Sequence, residues 1–241
     1  MKSKSKINIF GSGSSGNSLS IHDSRGKYIL VDVGLPHKDI LRCLNYDLSN
    51  CVSIICSHNH ISDHTKSLGY FIKLGIPCYG NQDICDNHEG CMLLQKILKV
   101  DGFKVQNFDL VHNVPNNAII VDTIDGIRIL YCTDTEYIPK IVKGVHYAII
   151  ECNHDEEQII DNAMGDVYSM SHYENHQSID RCIEYLKAIY NPKLQGIILW
   201  HMSGSNIDSN KAKKKVKDEL GFSNVYVARK GLEVELLKEE F

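Results

Sequence analysis

A sandwich of two mixed β-sheets between helices is the fold this 241-residue sequence predicts. Three observations predict it. Strand-like runs fill the first half, a hairpin stands in the middle, and helix–strand–helix units follow. Residues able to hold a metal recur where apolar strands end. No linker, repeat or low-complexity segment divides the chain, so residues 1–241 read as one α/β (α+β) domain with room for a sizeable core.

Lys6–Phe10 reads as a strand running into a glycine–serine loop, Gly11-Ser-Gly-Ser-Ser-Gly-Asn-Ser18. Strands at Leu19–His22 and Tyr28–Val33 flank the turn Ser24-Arg-Gly26. Lys38–Leu44 reads as helix and Cys51–Cys56 as a buried strand. Thr65–Leu74 has helical spacing, with Leu68, Phe71 and Ile72 on one face. Ile76–Tyr79 is a short strand and Asn81–Leu94 reads as helical. Strands follow near Lys104–Phe108, Ala118–Asp122 and Ile127–Tyr131, the last two joined by Ile124-Asp-Gly126, a hairpin signal. After the strand Tyr147–Glu151, Gln177–Ile189 repeats Ile179, Cys182, Ile183, Leu186 and Ile189 at helical spacing. The strand Gly196–Trp200, the lysine-rich helix Asp208–Leu220 and two short strands complete the chain.

Apolar residues at 43% and charged residues at 23% are ordinary for a soluble globular protein. A net charge of −4 gives no global reason to expect tight binding to long nucleic acid. The basic stretch Lys211–Lys217 reads as a solvated helix face, or as a polymer track if it flanks the site. Nine cysteines, an odd number with no Cys-x-x-Cys pair, read as reduced thiols. The start Met1–Lys6 leads straight into a strand with no signal peptide, and no apolar run approaches the ~20 residues of a membrane span. These features predict a cytoplasmic protein.

Ser57-His-Asn-His-Ile-Ser-Asp-His64 carries the chemistry. His58, His60, Asp63 and His64 offer imidazole and carboxylate, which suit Zn²⁺, Mn²⁺ or Fe²⁺. His58 and His60 alternate, so on an extended segment they face one side, and a turn returns Asp63 and His64 to it. Four donors so close in sequence are more than one tetrahedral ion easily uses, which points to two neighbouring ions. His112, Asp134 and His201 each follow an apolar strand and extend the set.

The motif His58-Asn-His60-Ile-Ser-Asp63-His64, followed in order by His112, Asp134 and His201, resembles the metallo-β-lactamase fold superfamily. Gly11–Ser18, Leu30-Val-Asp-Val-Gly34 and Glu151-Cys-Asn-His-Asp155 narrow the resemblance to its exonuclease-like YycJ/WalJ branch. That branch is akin to ribonuclease Z and to viral anti-Pycsar phosphodiesterases. The resemblance implies an αββα sandwich with a dinuclear site, most simply of Zn²⁺ or alternatively Mn²⁺. It assigns one ion to His58, His60 and His112 and the other to Asp63, His64 and His201, with Asp134 bridging. Ser171-His172-Tyr-Glu-Asn175 is similar to the segment carrying a proton-donating histidine, and Glu151 to the acid that orients it. The chain departs from the branch at Asn113, where Asp is usual, and at Ser171, where Gly is usual. Only 67 positions separate Asp134 from His201, which leaves no room for an inserted β-CASP domain. The long arm that grips tRNA is not evident either.

The implied activity is phosphodiester hydrolysis by a hydroxide held between two ions, with His172, Glu151 and Asp63 as the catalytic set. Asp32 supports the site from a strand end. The glycine–serine loop either offers N–H groups to a phosphate or is a tight turn that lets the sheet close. The substrate is nucleic acid taken from an end or, alternatively, a small cyclic nucleotide. A thioesterase or lactonase and a non-catalytic binding module are the other classes the fold hosts. Homodimers are common in the ribonuclease Z-like group, so a partner copy is expected.

Overall fold

The computed structural model describes residues 4–158 and 175–237. The first sheet contains β1 (Lys6–Gly11), β2 (Ser18–His22), β3 (Tyr28–Val31), β4 (Cys51–Ile55), β5 (Cys78–Gly80), β6 (Met92–Leu93) and β14 (Glu233–Glu235). Its strand order is β14-β1-β2-β3-β4-β5-β6, antiparallel as far as β3 and parallel beyond it. The second sheet contains β7 (Ile97–Val100), β8 (Phe103–Leu110), β9 (Asn116–Asp122), β10 (Arg128–Cys132), β11 (Tyr147–Glu151), β12 (Gly196–Trp200) and β13 (Val225–Val227). Its order is β13-β12-β11-β10-β9-β8-β7, parallel as far as β10 and antiparallel beyond it.

Three cores hold four layers together. Ile9, Ile21, Ile29, Val121, Ile129, Ile149 and Trp200 meet between the two sheets. Leu30, Ile54, Leu68 and Phe71 pack the first sheet against α1 (His37–Cys43), α2 (Leu68–Lys73) and α3 (Gln82–Asn87). Ile150, Ile183, Leu186, Leu199 and Val216 pack the second against α4 (Ile179–Ile189) and α5 (Ser209–Leu220). The result is the expected αββα sandwich. Continuous burial along β3, β11 and β12 reflects strands covered on both faces.

Helix limits follow local chemistry. Ser178 caps α4 by accepting from Arg181 N, and Asp208 caps α5 by accepting from Asn210 N and Lys211 N. Gly221, at φ 61°, closes α5 in the left-handed region. The lysine-rich helix lies on α4 through Ala212 and Val216, with ion pairs Lys215–Asp180 and Lys187–Glu219, both 2.7 Å. The expected helix over Asn81–Leu94 is shorter. Asn81 Oδ1 accepts from Ile84 N to start α3, Gly90 at φ 90° follows its end, and β6 takes Met92–Leu93. The edge strand β7 has no counterpart in the sequence reading.

The nine cysteines are free. Among the described residues no helix is long and apolar enough to cross a membrane.

His22 supplies a pH-dependent element of stability away from the site. Its Nε2 accepts from Ser20 Oγ at 2.8 Å and Asn8 Nδ2 at 3.3 Å, which requires the neutral ring. Burial, helped by the Lys6 cation, lowers its pKa from 6.5 to about 4. The native state thus binds fewer protons than the unfolded chain between those values. Stability rises with pH across that window, is complete above 6.5, and falls as the pH drops toward 4. With chelator present, His22→Gln should flatten the rise in urea midpoint between pH 4.5 and 7.5, by an upper bound of about 3 kcal/mol. An unchanged slope would show that the ring is not held neutral.

Candidate metal centre

Apart from His176, which precedes α4, every candidate donor outside the His58–His64 loop stands at the C-terminal end of a strand or just beyond it. Asp32 follows β3, His58 follows β4, His112 follows β8, Asp134 follows β10, Glu151 ends β11 and His201 follows β12. Asp32, Asp134 and His201 have φ of 55°, 48° and 49°. Non-glycine residues rarely adopt this conformation, and here it turns each side chain off its strand into the site.

Asp32 anchors the histidine loop from below. Fully buried, it accepts from Ser57 N at 2.8 Å, Tyr131 OH at 2.7 Å and His64 Nδ1 at 2.9 Å. That last bond leaves His64 Nε2 facing Asp63 and Asp134, 3.5 Å from an oxygen of each. His58 Nδ1 meets Ser57 Oγ at 3.0 Å, so its Nε2 faces inward, 3.0 Å from His60 Nδ1. His112 Nδ1 donates to Asn175 O at 3.2 Å, and its buried Nε2 has no hydrogen-bond partner among the described residues. Such outer bonds fix the tautomer of a ligating histidine and aim its lone pair. Asn116 Nδ2 donates to the carbonyls of Thr133 and Asp134, at 2.8 and 2.7 Å, and so holds the turn that presents Asp134.

Among the described residues three donor sets form, and Asp134 belongs to each. One is His58, His60, His112 and Asp134; a second is Asp63, His64 and Asp134; a third is Asp134, Glu151, His176 and His201. The structure thus gathers all seven sequence-predicted ligands around one carboxylate. His201 joins through Asp134 and Glu151 rather than beside His64, whose ring centroid is 6.1 Å away. His201 Nδ1 lies 2.5 Å from Asp134 Oδ1, a separation at which two lone pairs repel unless a cation is shared.

Electrostatics fit divalent ions. Burial and the neighbouring His64 hold His58 well below its ordinary pKa, and burial lowers His60 and brings His112 to about 4. These three are neutral donors near pH 7. Burial opposes charge on His64 and His201 as well, but Asp134 with Asp32 raises His64 to about 10, and Asp134 with Glu151 raises His201 far above its usual value. Asp134 stays ionised despite burial because His201 and His64 face it. His58, His60 and His112 are thus ready to ligate, whereas His64 and His201 would have to release a proton to a binding cation, which makes metal affinity pH-dependent.

His172, the expected proton donor, lies outside the described residues. Among the described residues, His176 donates its Nδ1 to Glu151 Oε1 at 2.6 Å, and His201 Nδ1 lies 3.4 Å from the same oxygen. Glu151 Oε2 accepts from Thr135 N at 2.7 Å, so the carboxylate is fixed. Burial works against charge on His176, but Glu151 outweighs it and raises its pKa. The sequence held a signal for His176, since it stands two positions before the α4 cap Ser178 and 25 positions before His201. A cavity of about 500 Å³ opens over the centre, with His60, Asp134, His176 and His201 on its wall. Asn113, where the branch usually has Asp, lines the same cavity. None of its described lining residues is Lys or Arg.

No protein-family profile matches the chain. Exodeoxyribonuclease WalJ of Streptococcus pneumoniae, in strains D39 and R6, is 30% identical over 173 residues. The match covers 63% of this chain and 64% of the relative's length, so the chain spans just under two thirds of the curated relatives it matches. The metallo-β-lactamase fold protein YhfI of Bacillus subtilis superposes with TM-score 0.75 at 19% identity, covering 97% of this chain and all of that one. The short form of human tRNase Z gives TM-score 0.67 at 15% identity, covering 96% and 99%. With two mixed sheets and donors at the strand ends, the chain has the metallo-β-lactamase fold of these solved structures, and over part of its length it is similar in sequence to WalJ.

Proposed function

We propose that the chain is a metal-dependent phosphodiesterase that acts on nucleic acid or nucleotides through a dinuclear centre. The observation that carries this is Asp134, shared by three donor sets, with the Glu151–His176 pair opening on the same cavity. The sequence relation to an exodeoxyribonuclease supports a phosphodiester substrate. His58, His60 and His112 would hold one ion, Asp63, His64 and His201 the other, and Asp134 both. When bound, Zn²⁺ or Mn²⁺ supplies Lewis acidity that lowers the pKa of water and neutralises phosphate charge. His176, held by Glu151 with Nδ1 protonated, presents Nε2 as proton donor to the leaving oxygen. This role falls to His176 rather than His172 on the ground of the 2.6 Å bond. The absence of Lys and Arg from the described cavity wall favours a short or terminal phosphodiester, including a cyclic nucleotide, over a long backbone threaded through it.

The test is turnover of 5′-phosphorylated single-stranded DNA and of a panel of cyclic nucleotides by metal-loaded protein. His176→Ala should lower kcat by about 100- to 10,000-fold on the true substrate with bound metal unchanged. His172→Ala should leave kcat within a few-fold. Hydrolysis of neither substrate class, or full activity in His176→Ala, overturns the reading.

A further inference from the structure

We propose that the glycine–serine loop between β1 and β2 is a clamp that positions Asp63, His64 and His201, and that Ser12 and Asn17 are its positioning residues. The inference rests on the two-ion reading above and assigns the loop to one ion only. It replaces the phosphate cradle that the glycine content suggests.

Ser12 reaches one side of the centre. Its Oγ accepts from His201 N at 2.9 Å, across 189 positions of sequence, and so holds His201 in its left-handed conformation. Asn17 reaches the other side. Its backbone N–H donates to Asp63 O at 2.7 Å, and its carbonyl accepts from Gly34 N at 2.9 Å. Its fully buried carboxamide places Nδ2 3.4 Å from Asp63 Oδ2, to which it donates, and 2.9 Å from His64 Nε2, whose lone pair it would yield to an ion. The same side chain locks the loop. Oδ1 accepts from Gly13 N at 2.9 Å, and Nδ2 donates to Gly13 O at 3.2 Å.

Backbone accounting supports the clamp. A phosphate nest needs successive N–H groups free to point at the anion. Here Gly13 N bonds Asn17 Oδ1, Gly16 N bonds Gly13 O, and Asn17 N bonds Asp63 O. Three of the loop's donors are thus used inside the protein. Gly16 serves close approach instead, since a Cβ there would stand 2.8 Å from Gly34 O. Two of the three histidines assigned to the other ion are oriented without the loop, His58 by Ser57 Oγ and His112 by Asn175 O. Damage to the clamp should therefore fall on one ion of two.

The experiment measures metal per chain after dialysis, and stepwise release to a competing chelator, for wild type, Ser12→Ala, Ser12→Thr and Asn17→Ala loaded with Zn²⁺. Wild type should hold two ions. Ser12→Ala and Asn17→Ala should hold one tightly, with the other weakened about 10- to 100-fold, the usual effect of removing an outer-shell partner. Ser12→Thr keeps the hydroxyl and should restore two. Ser12 is half-buried, so its variants keep the test decisive if Asn17→Ala fails to fold. Two ions at wild-type affinity in Ser12→Ala, with weaker competition by inorganic phosphate, would mean a cradle and overturn the proposal. Loss of both ions together would overturn the one-ion assignment. Fewer than two ions in wild type would instead sink the dinuclear reading.

Discussion

Asp134→Ala should strip both ions from the protein and lower phosphodiester turnover about 1,000-fold or more. Metal-ion charge stabilisation is worth several kcal/mol, and about 1.4 kcal/mol is tenfold in rate. Asp134 alone belongs to all three donor sets, so no neighbouring carboxylate substitutes for it. Asp63 reaches only the set with His64, and Glu151 only the set with His176 and His201. Removing a buried carboxylate facing two protonated imidazoles is costly when the imidazoles must stay charged. Near neutral pH His64 and His201 can release their protons once Asp134 is gone, because its carboxylate is a main cause of their raised pKa. The variant should therefore remain folded at pH 8, which circular dichroism checks, while metal analysis shows less than one ion per chain. Two ions retained by a folded variant would remove Asp134 from the centre.

The legible part of this site is the part encoded by spacing. His58, His60, Asp63 and His64 fall in one loop, so the motif alone brings them together. His112, Asp134 and His201 were readable because each follows an apolar strand, and strand order then decides which of them meet. The Glu151–His176 pair shows where such reading stops. His176 stands two positions before the α4 cap, and only the position of β11 relative to that cap brings its ring against Glu151, a contact that spacing along the chain does not foretell. The same limit applies at the sheet edges. Asn81–Leu94 holds enough apolar residues for a helix, yet Gly90 at φ 90° and pairing with β5 turn its end into β6. Left-handed Asp32, Asp134 and His201 carry no local sequence signal. Their conformation is imposed by tertiary bonds such as those of Asn116 and Ser12.

Gly34→Ala tests how closely the histidine loop is fitted to the sheet. A Cβ at Gly34 would lie 1.7 Å from Asp63 O, 2.0 Å from Asp63 C and 2.7 Å from His64 N. These are backbone atoms, so no side-chain rotation relieves the clash. The Asp63 carbonyl also accepts from Asn17 N, while Gly34 N donates to Asn17 O, so three segments meet at this point. Displacing Asp63 to admit a methyl group breaks that junction and moves both Asp63 and His64 away from Asp134. Overpacking of a rigid site costs typically 1–3 kcal/mol, occasionally more, and a backbone clash of this depth belongs at the upper end. At about 3 kcal/mol, a chain of this length should lose roughly 6–12 °C in Tm with chelator present. One ion should be lost as well, since the His58, His60 and His112 donors do not touch Gly34. Gly69→Ala is the matched control, because its added Cβ meets nothing within 4 Å and Gly69 sits inside α2. There the change should be neutral or stabilising by up to about 1 kcal/mol. Equal melting and equal metal content in the two variants would show that Asp63 and His64 can shift without cost, and that the loop is not held where the sheet places it.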